Sequence, residues 1–330
     1  MSAVLQVTRM ARPARINIPA FLVKYGLLLM LVLLSIMFAA IEPSFASAAS
    51  VNNLLRSSAL SAIMFLGLTW IIAAGEIDVS FMSVAALSNM ITAGCVDAGS
   101  GWILGALAGL SSGLLIGALN GTLVAVLRLP ALVITIATGG LAASIAAAIG
   151  HGTSISLRGT GFVGDIVSAS LGVVPVLAIA ALLLYHLAYI LQDRMTLGHY
   201  IYAMEQNREA VVEAGVPVTR LLMLLYLLSG GLSAVAGILL TADLSSGQPY
   251  IGGSYFIDGL TSVLLGGMVL KMGRPNVWGT LVGILLLAVL LNGAALLGWS
   301  DSERQIVRGA LLIGGVAMVV WTRRKTRTRI

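Results

Sequence analysis

Two acids stand close together in an otherwise apolar stretch. Glu76 and Asp78 lie in the run GEIDVS beside Gly75, with no basic neighbour in sequence. Ionisable side chains at membrane depth are costly, so an acid pair there calls for a role. In one reading the two carboxylates carry a proton or a cation, as in a stand-alone secondary transporter. In the other, Asp78 caps a helix beginning near Val79, accepting from free backbone amides where negative charge is favoured. Asp258, near the start of a later apolar run, admits the same two readings, and for both aspartates capping is the expected role. With Ser80, Asn120 and Thr135, these three acids form the candidate set for a translocation path or for helix breaks.

Other chemistries lack their residues. His151, His186 and His199 are far apart and none sits in an HxxxH or HExxH arrangement, so no metal site is expected. There is no GxSxG nucleophile signature. Cys95 is the only cysteine, which excludes a disulfide framework or a cysteine metal cluster. No GxxxxGK[ST] sequence occurs, so the chain has no phosphate-binding loop of its own. No catalytic residue and no cofactor is expected, and any ATP hydrolysis that drives this protein belongs to another polypeptide.

The elements that must position the acids are membrane helices. Of 330 residues 58% are apolar and only 10% charged, against about a quarter charged in a soluble domain; mean hydropathy is +1.01. Apolar runs near the ~20 residues needed to cross a bilayer recur along the length. They predict an all-α polytopic bundle of about ten spans: 20–41, 51–74, 79–95, 102–127, 130–149, 171–191, 218–241, 257–271, 276–297 and 305–322. The short segments 79–95 and 257–271 are open to being broken or re-entrant. With the N-terminus in the cytoplasm, inner segments hold fifteen of the lysines and arginines and outer segments only Arg56, Arg158, Arg304 and Arg308. That positive-inside bias favours an even count with both termini cytoplasmic, and it accounts for the net charge of +6 without nucleic acid. The expected organisation is a basic N-terminus (1–19), a membrane domain (20–322) and a basic tail (323–330) that touches anionic headgroups. The first apolar run is long for a cleavable signal core. It is therefore expected to be retained, although FASAAS (45–50) imitates a cleavage site.

Within the fourth span Gly105, Gly109, Gly113, Gly117 and Gly121 recur at every fourth position, a groove that winds slowly round the helix and admits another backbone. Packing is the expected use of this stripe; a substrate contact at Asn120 is secondary. Two polar, glycine-rich segments, 150–170 and 243–256, are expected on the outer face, as solvated loops or as a docking surface.

The polar segment 192–220 is the anomaly between spans. Its centre, NREAVVEAGVP (207–217), reads as a short helix closed by Gly215 and Pro217, with Glu209 and Glu213 on one face. Either it lies passively at the membrane surface or it docks into a partner's groove, the expected role.

Five blocks, in order, resemble the permease subunits of bacterial ABC importers of the ribose, xylose and galactose type. GEIDVSFMS (75–83) is similar to the family's GGIDLSxGS, and LPALVITIATGG (129–140) to its PAFIxTLxT segment. TLGHYIYAMEQNREAVVEAGV (196–216) resembles LGRxIYAxGxNxxAAxxxGI. LSSGQPYIGGSYFIDGLTSVLLGG (244–267) resembles LSSAQPxxGxGYELDAIAAVVLGG, and GRPNVWGT (273–280) with LNGAALLG (291–298) continues the match. The resemblance runs from about residue 54 to 317.

The resemblance implies a multi-pass protein of the bacterial inner membrane. It implies two permeases, identical or paralogous, two ABC ATPase subunits and a periplasmic sugar-binding protein. It further implies alternating access, with residues 207–215 as the helix seated in the ATPase; Asn207, Ala210 and Gly215 match the pattern, while Glu209 departs from the ribose-type block. Glu76 stands where a glycine is usual, and Glu205 and Gln206 replace a small pair. Asp243 replaces a frequent basic residue, and Ser302 and Glu303 an aromatic pair. The solute is left open among ribose, a related pentose, a deoxysugar, a polyol and the autoinducer-2 furanose.

Overall fold

A computed structural model describes residues 18–271 and 273–327. The basic residues Arg9, Arg12 and Arg15 and the last three residues lie outside the described ones. The chain is helical almost throughout: α1 (Ile18–Ile41), α2 (Ala48–Ala73), α3 (Phe81–Asp97), α4 (Gly101–Gly121), α5 (Ala131–Ile149), α6 (Gly161–Ser168), α7 (Val176–Asp193), α8 (Thr196–Gln206), α9 (Arg208–Glu213), α10 (Val218–Asp243), α11 (Gly252–Gly266), α12 (Val277–Leu296) and α13 (Asp301–Arg327). Each apolar segment expected to span is mostly helical, and among the described residues six helices are long and apolar enough to cross a membrane. The protein is a multi-pass membrane protein.

α2 and α10 are buried over most of their length, whereas α4, α5 and α7 leave most of theirs open. α10 lies in the centre, against α2, α3 and α4. The glycine stripe of α4 explains how close these helices come. A Cβ on Gly109 would stand 2.5 Å from Thr92 Oγ1 on α3, and one on Gly117 would stand 2.6 Å from the Tyr226 carbonyl on α10. The groove therefore serves two neighbours in turn, as its winding requires, and any larger residue would push the backbones apart. α4 ends in a π-turn at Thr122–Val126.

Of the two short segments open to being broken or re-entrant, 79–95 forms one helix, α3, of 17 residues. The other, 257–271, is helical only as far as Gly266, where α11, 15 residues long, gives way to turns. α11 begins at Gly252, five residues before the apolar pattern does, because GGSYF carries little hydropathic signal. α7 begins at Val176 rather than 171. A hairpin of Ser170–Leu171 (β2) and Val174–Pro175 (β3) occupies the gap, turning at Gly172 with φ 64°.

At one end of the bundle the two polar segments 150–170 and 243–256 meet. Ile155–Ser156 (β1) pairs antiparallel with Ser246–Gly247 (β4), and Leu157 N donates to the Ser245 carbonyl at 2.9 Å. Asn89 of α3 anchors this ladder, its Oδ1 accepting from Gln248 N at 2.6 Å and its Nδ2 donating to Thr241 Oγ1 at 2.9 Å. We call this the strand end. The opposite end carries the 74–80 turn and α9, and we call it the α9 end.

Candidate functional site

The α9 end is organised around the turn between α2 and α3. Gly75 has φ 83°, a conformation that suits glycine, and it lets the chain leave α2 and run extended to α3. Asp78, 2% exposed, follows. Its Oδ1 accepts from Ser80 N at 2.8 Å and Ser80 Oγ at 2.6 Å, and its Oδ2 from Ser229 Oγ of α10 at 2.8 Å. The expected capping role holds, for the carboxylate accepts a backbone amide at the start of α3. It also does more, since the same carboxylate ties that start to α10.

Ser80 extends the network. Asn120 Nδ2 donates to Ser80 Oγ at 2.8 Å, and Asn120 Oδ1 accepts from Thr138 Oγ1 of α5 at 2.6 Å. Thr135 Oγ1 accepts from Val79 N at 3.1 Å, and Tyr226 OH donates to the Ile77 carbonyl at 3.4 Å. Four of the six path candidates, Asp78, Ser80, Asn120 and Thr135, thus meet in one buried knot joining α3, α4, α5 and α10. Thr138, Ser229 and Tyr226 were not foreseen. Thr138 recurs three residues after Thr135 and was open to recognition; Ser229 and Tyr226 are ordinary residues of an apolar run and carry no sequence signal.

Glu76 faces the other way. Its Oε1 accepts from Arg208 Nη1 of α9 at 2.8 Å. Partial burial pushes the Glu76 carboxyl above the usual carboxylate range, and the Arg208 charge pulls in the opposite direction. The acid that replaces the family's glycine is therefore the clasp between the 74–80 turn and the short helix.

α9 is built as its sequence predicts. Asn207 is the N-cap, its Oδ1 accepting from Ala210 N at 3.1 Å. Gly215 closes the helix at φ 81°. Gly215 N donates to the Val212 carbonyl at 2.9 Å and Val216 N to that of Val211 at 3.2 Å, the paired bonds of a Schellman ending. Val211 is the buried anchor, while Glu209, Val212 and Glu213 are exposed. Beside them Glu76, Arg128 and Arg208 border an open cleft of about 550 Å³. The arrangement presents a small, capped helix with two acids around one exposed valine.

Asp258 belongs elsewhere and does not cap. It lies inside α11, one turn and a half beyond its start, and stands 3.1 Å from Arg308 Nε of α13. The expectation failed because α11 starts earlier than hydropathy indicates. Asp243, at the end of α10, likewise faces Arg56 of α2 at 3.1 Å, so the acid in place of a basic residue is paired. Ser302 and Glu303 replace the aromatic pair, and Glu303 forms a reciprocal cap on α13 with Ser300. Ser300 N donates to Glu303 Oε2 at 2.7 Å and Glu303 N to Ser300 Oγ at 3.3 Å.

Comparison with known proteins bears on the whole chain. Residues 50–316 match the family described as branched-chain amino acid transport system / permease component. A ribose import permease of Bacillus subtilis is 33% identical over 306 residues, covering 92% of this chain and 95% of the relative. An L-arabinose transport system permease of Escherichia coli is 31% identical, covering 92% and 93%. A D-allose transport system permease of the same species is 27% identical, with the same coverage. No solved structure matches. The resemblance read from the five sequence blocks therefore holds, and the chain belongs to this family of transport permeases, in which it is similar to sugar import permeases along nearly all its length.

Proposed function

We propose that this chain is the permease subunit of an ATP-driven importer of a monosaccharide or related small polyhydroxylated solute. It works with two ABC ATPase subunits, a periplasmic sugar-binding protein and a second permease, identical or paralogous. It crosses the bacterial inner membrane ten times, with both termini cytoplasmic, so that the α9 end faces the cytoplasm and the strand end the periplasm. Access alternates between the two faces as the ATPases move the coupling helix, a two-state element biased by ATP. The relatives' names, ribose, L-arabinose and D-allose permeases, support the solute class.

The observation that carries this reading is α9. Its residues Asn207, Ala210 and Gly215 build a capped helix, its exposed face holds Glu209 and Glu213, and Arg208 ties it to the turn that enters the buried knot. Movement of α9 thus has a physical route into the membrane: Arg208 to Glu76, and two residues on to Asp78. A proton-coupled secondary transporter using Glu76 and Asp78 has less support. Glu76 is engaged by Arg208, and Asp78, buried, accepts three short hydrogen bonds from serine donors, so the two carboxylates do not act together on one solute.

The test is Gly215→Trp. Nothing lies within 4 Å of the position of its Cβ, but the backbone is left-handed there, so the variant strains the helix ending without crowding the membrane core. It is expected to insert normally while losing ATPase binding and ATP-dependent uptake in vesicles supplied with ATPase and binding protein. Uptake at the wild-type rate would remove the coupling assignment.

A further inference from the structure

Between α2, α11, α12 and α13, toward the strand end, lies a cavity of about 380 Å³, within the ~300–1,000 Å³ usual for small-molecule sites. Its lining is unusual in what it leaves unused. Ser58 Oγ, Ser262 Oγ and Arg304 Nε all line it, all are buried, and none makes a hydrogen bond. Ser58 is 5% exposed and Ser262 1%. Leaving a buried polar group unsatisfied is costly, and native structures hold few such groups. Three of them around one space, beside a buried ion pair, indicate a space shaped for hydrogen-bonding cargo.

The charges define which cargo. Asp258 and Arg308, which also line the cavity, neutralise one another as an ion pair at 3.1 Å. Arg304 is neutralised by Asp301, one turn before it in α13, and keeps Nε unused. The reciprocal cap of Ser300 and Glu303 fixes the start of α13 and so aims both arginines inward. A charged solute would enter a site already balanced and leave one charge uncompensated, at high cost in a low-dielectric setting. A neutral solute bearing several hydroxyls has what the lining lacks. One hydroxyl can donate to Asp258 while others accept from the two arginines. Phe65 and Tyr255, ring centroids 6.4 Å apart, supply an apolar wall for the carbon face of such a molecule.

We infer that this cavity is a binding site for a neutral polyhydroxylated solute within the permease itself. Asp258, Arg304 and Arg308 are its recognising groups, and Ser58 and Ser262 are additional hydroxyl partners. The inference rests on the importer reading above and adds to it a place and a chemical selectivity.

The experiment uses the full chain in lipid nanodiscs and saturation-transfer NMR with D-ribose, L-arabinose, D-xylose and D-allose as probes. At least one is expected to bind, and D-gluconate and D-glucosamine are expected not to compete. The double variant Asp258→Asn/Arg308→Gln removes both charges together, leaves none unpaired, and is expected to weaken binding of that sugar at least tenfold. Its thermal unfolding and its co-purification with the ATPase are expected to be unchanged. Ser262→Val, which deletes one unpartnered hydroxyl, is expected to weaken binding severalfold while keeping the fold. Absence of binding by all four sugars overturns the inference. So does wild-type affinity in a folded double variant, or equal competition by the charged analogues. Failure of the importer reading has a different signature: binding to the wild-type chain persists and responds to both variants, but ATP-dependent uptake never appears with the ATPase supplied.

Discussion

Asp78 and Asp258 read alike in the sequence, each an acid near the expected start of a short apolar run, and they end in opposite environments. Asp78 is enclosed among neutral donors from its own turn and α10, and both of its oxygens accept hydrogen bonds. Asp258 pairs with Arg308 at 3.1 Å on the wall of a cavity whose other polar atoms leave hydrogen-bonding capacity unspent. One acid holds helices together; the other stands where helices leave room. The lesson is that an intramembrane carboxylate becomes structural when its hydrogen bonds close, and available for ligand when they do not.

The sharpest way to break that contrast is to remove the closed acid. Asp78→Ala strands the Ser80 amide and the Ser80 and Ser229 hydroxyls in a buried place. It is expected to destabilise the protein by roughly 3–5 kcal/mol, since each buried donor left without an acceptor costs about 1–3 kcal/mol. The measurement is the unfolding midpoint in detergent, and Asp78→Asn, which keeps an acceptor, should lose less than half as much. A midpoint unchanged in Asp78→Ala would show that the knot is not structural and would reopen Asp78 as a solute or ion site.

The open acid should behave differently. Asp258→Asn alone leaves Arg308 as an uncompensated, largely buried charge, and Arg308→Gln alone does the same to Asp258. Each single variant is expected to cost about 2–3 kcal/mol, whereas the double variant returns to within about 1 kcal/mol of wild type. A double-mutant cycle by thermal or denaturant unfolding reads this directly. Additive losses would mean that the two groups act separately and that the contrast with Asp78 fails.

The sequence carried some of this and not the rest, for physical reasons. Helices were legible because hydropathy over ~20 residues is a local quantity. α9 was legible because its ends need particular side chains, a capping Asn207 and a left-handed Gly215. The groove of α4 was legible because small residues at fourth positions have one main use. Pairings across the bundle were not. Glu76 and Arg208 are 132 residues apart, and nothing in either neighbourhood names the other. The β1–β4 ladder joins two-residue strands, too short for an alternating pattern. α11's early start was hidden in GGSYF, and with it went the role of Asp258.

The clasp of Glu76 and Arg208 lies between the two extremes and gives the smallest effect. It is an ion pair at the rim, with the arginine side chain 42% exposed, so its worth to global stability is below about 1 kcal/mol. Glu76→Gly restores the residue usual in the family and should leave the unfolding midpoint almost unchanged. What it should change is local. α9 is six residues long, too short to be helical alone, and is held by its caps, by Val211 and by this pair. Releasing the pair is expected to speed amide exchange in 208–213 severalfold while exchange in α3 and α10 stays as it was. Because exposed pairs are screened by salt, raising ionic strength should bring wild type toward the variant and leave the variant itself unmoved. Equal exchange in both proteins at low salt would mean that Val211 and the caps hold α9 without help. The route from α9 into the knot would then run through packing instead of charge.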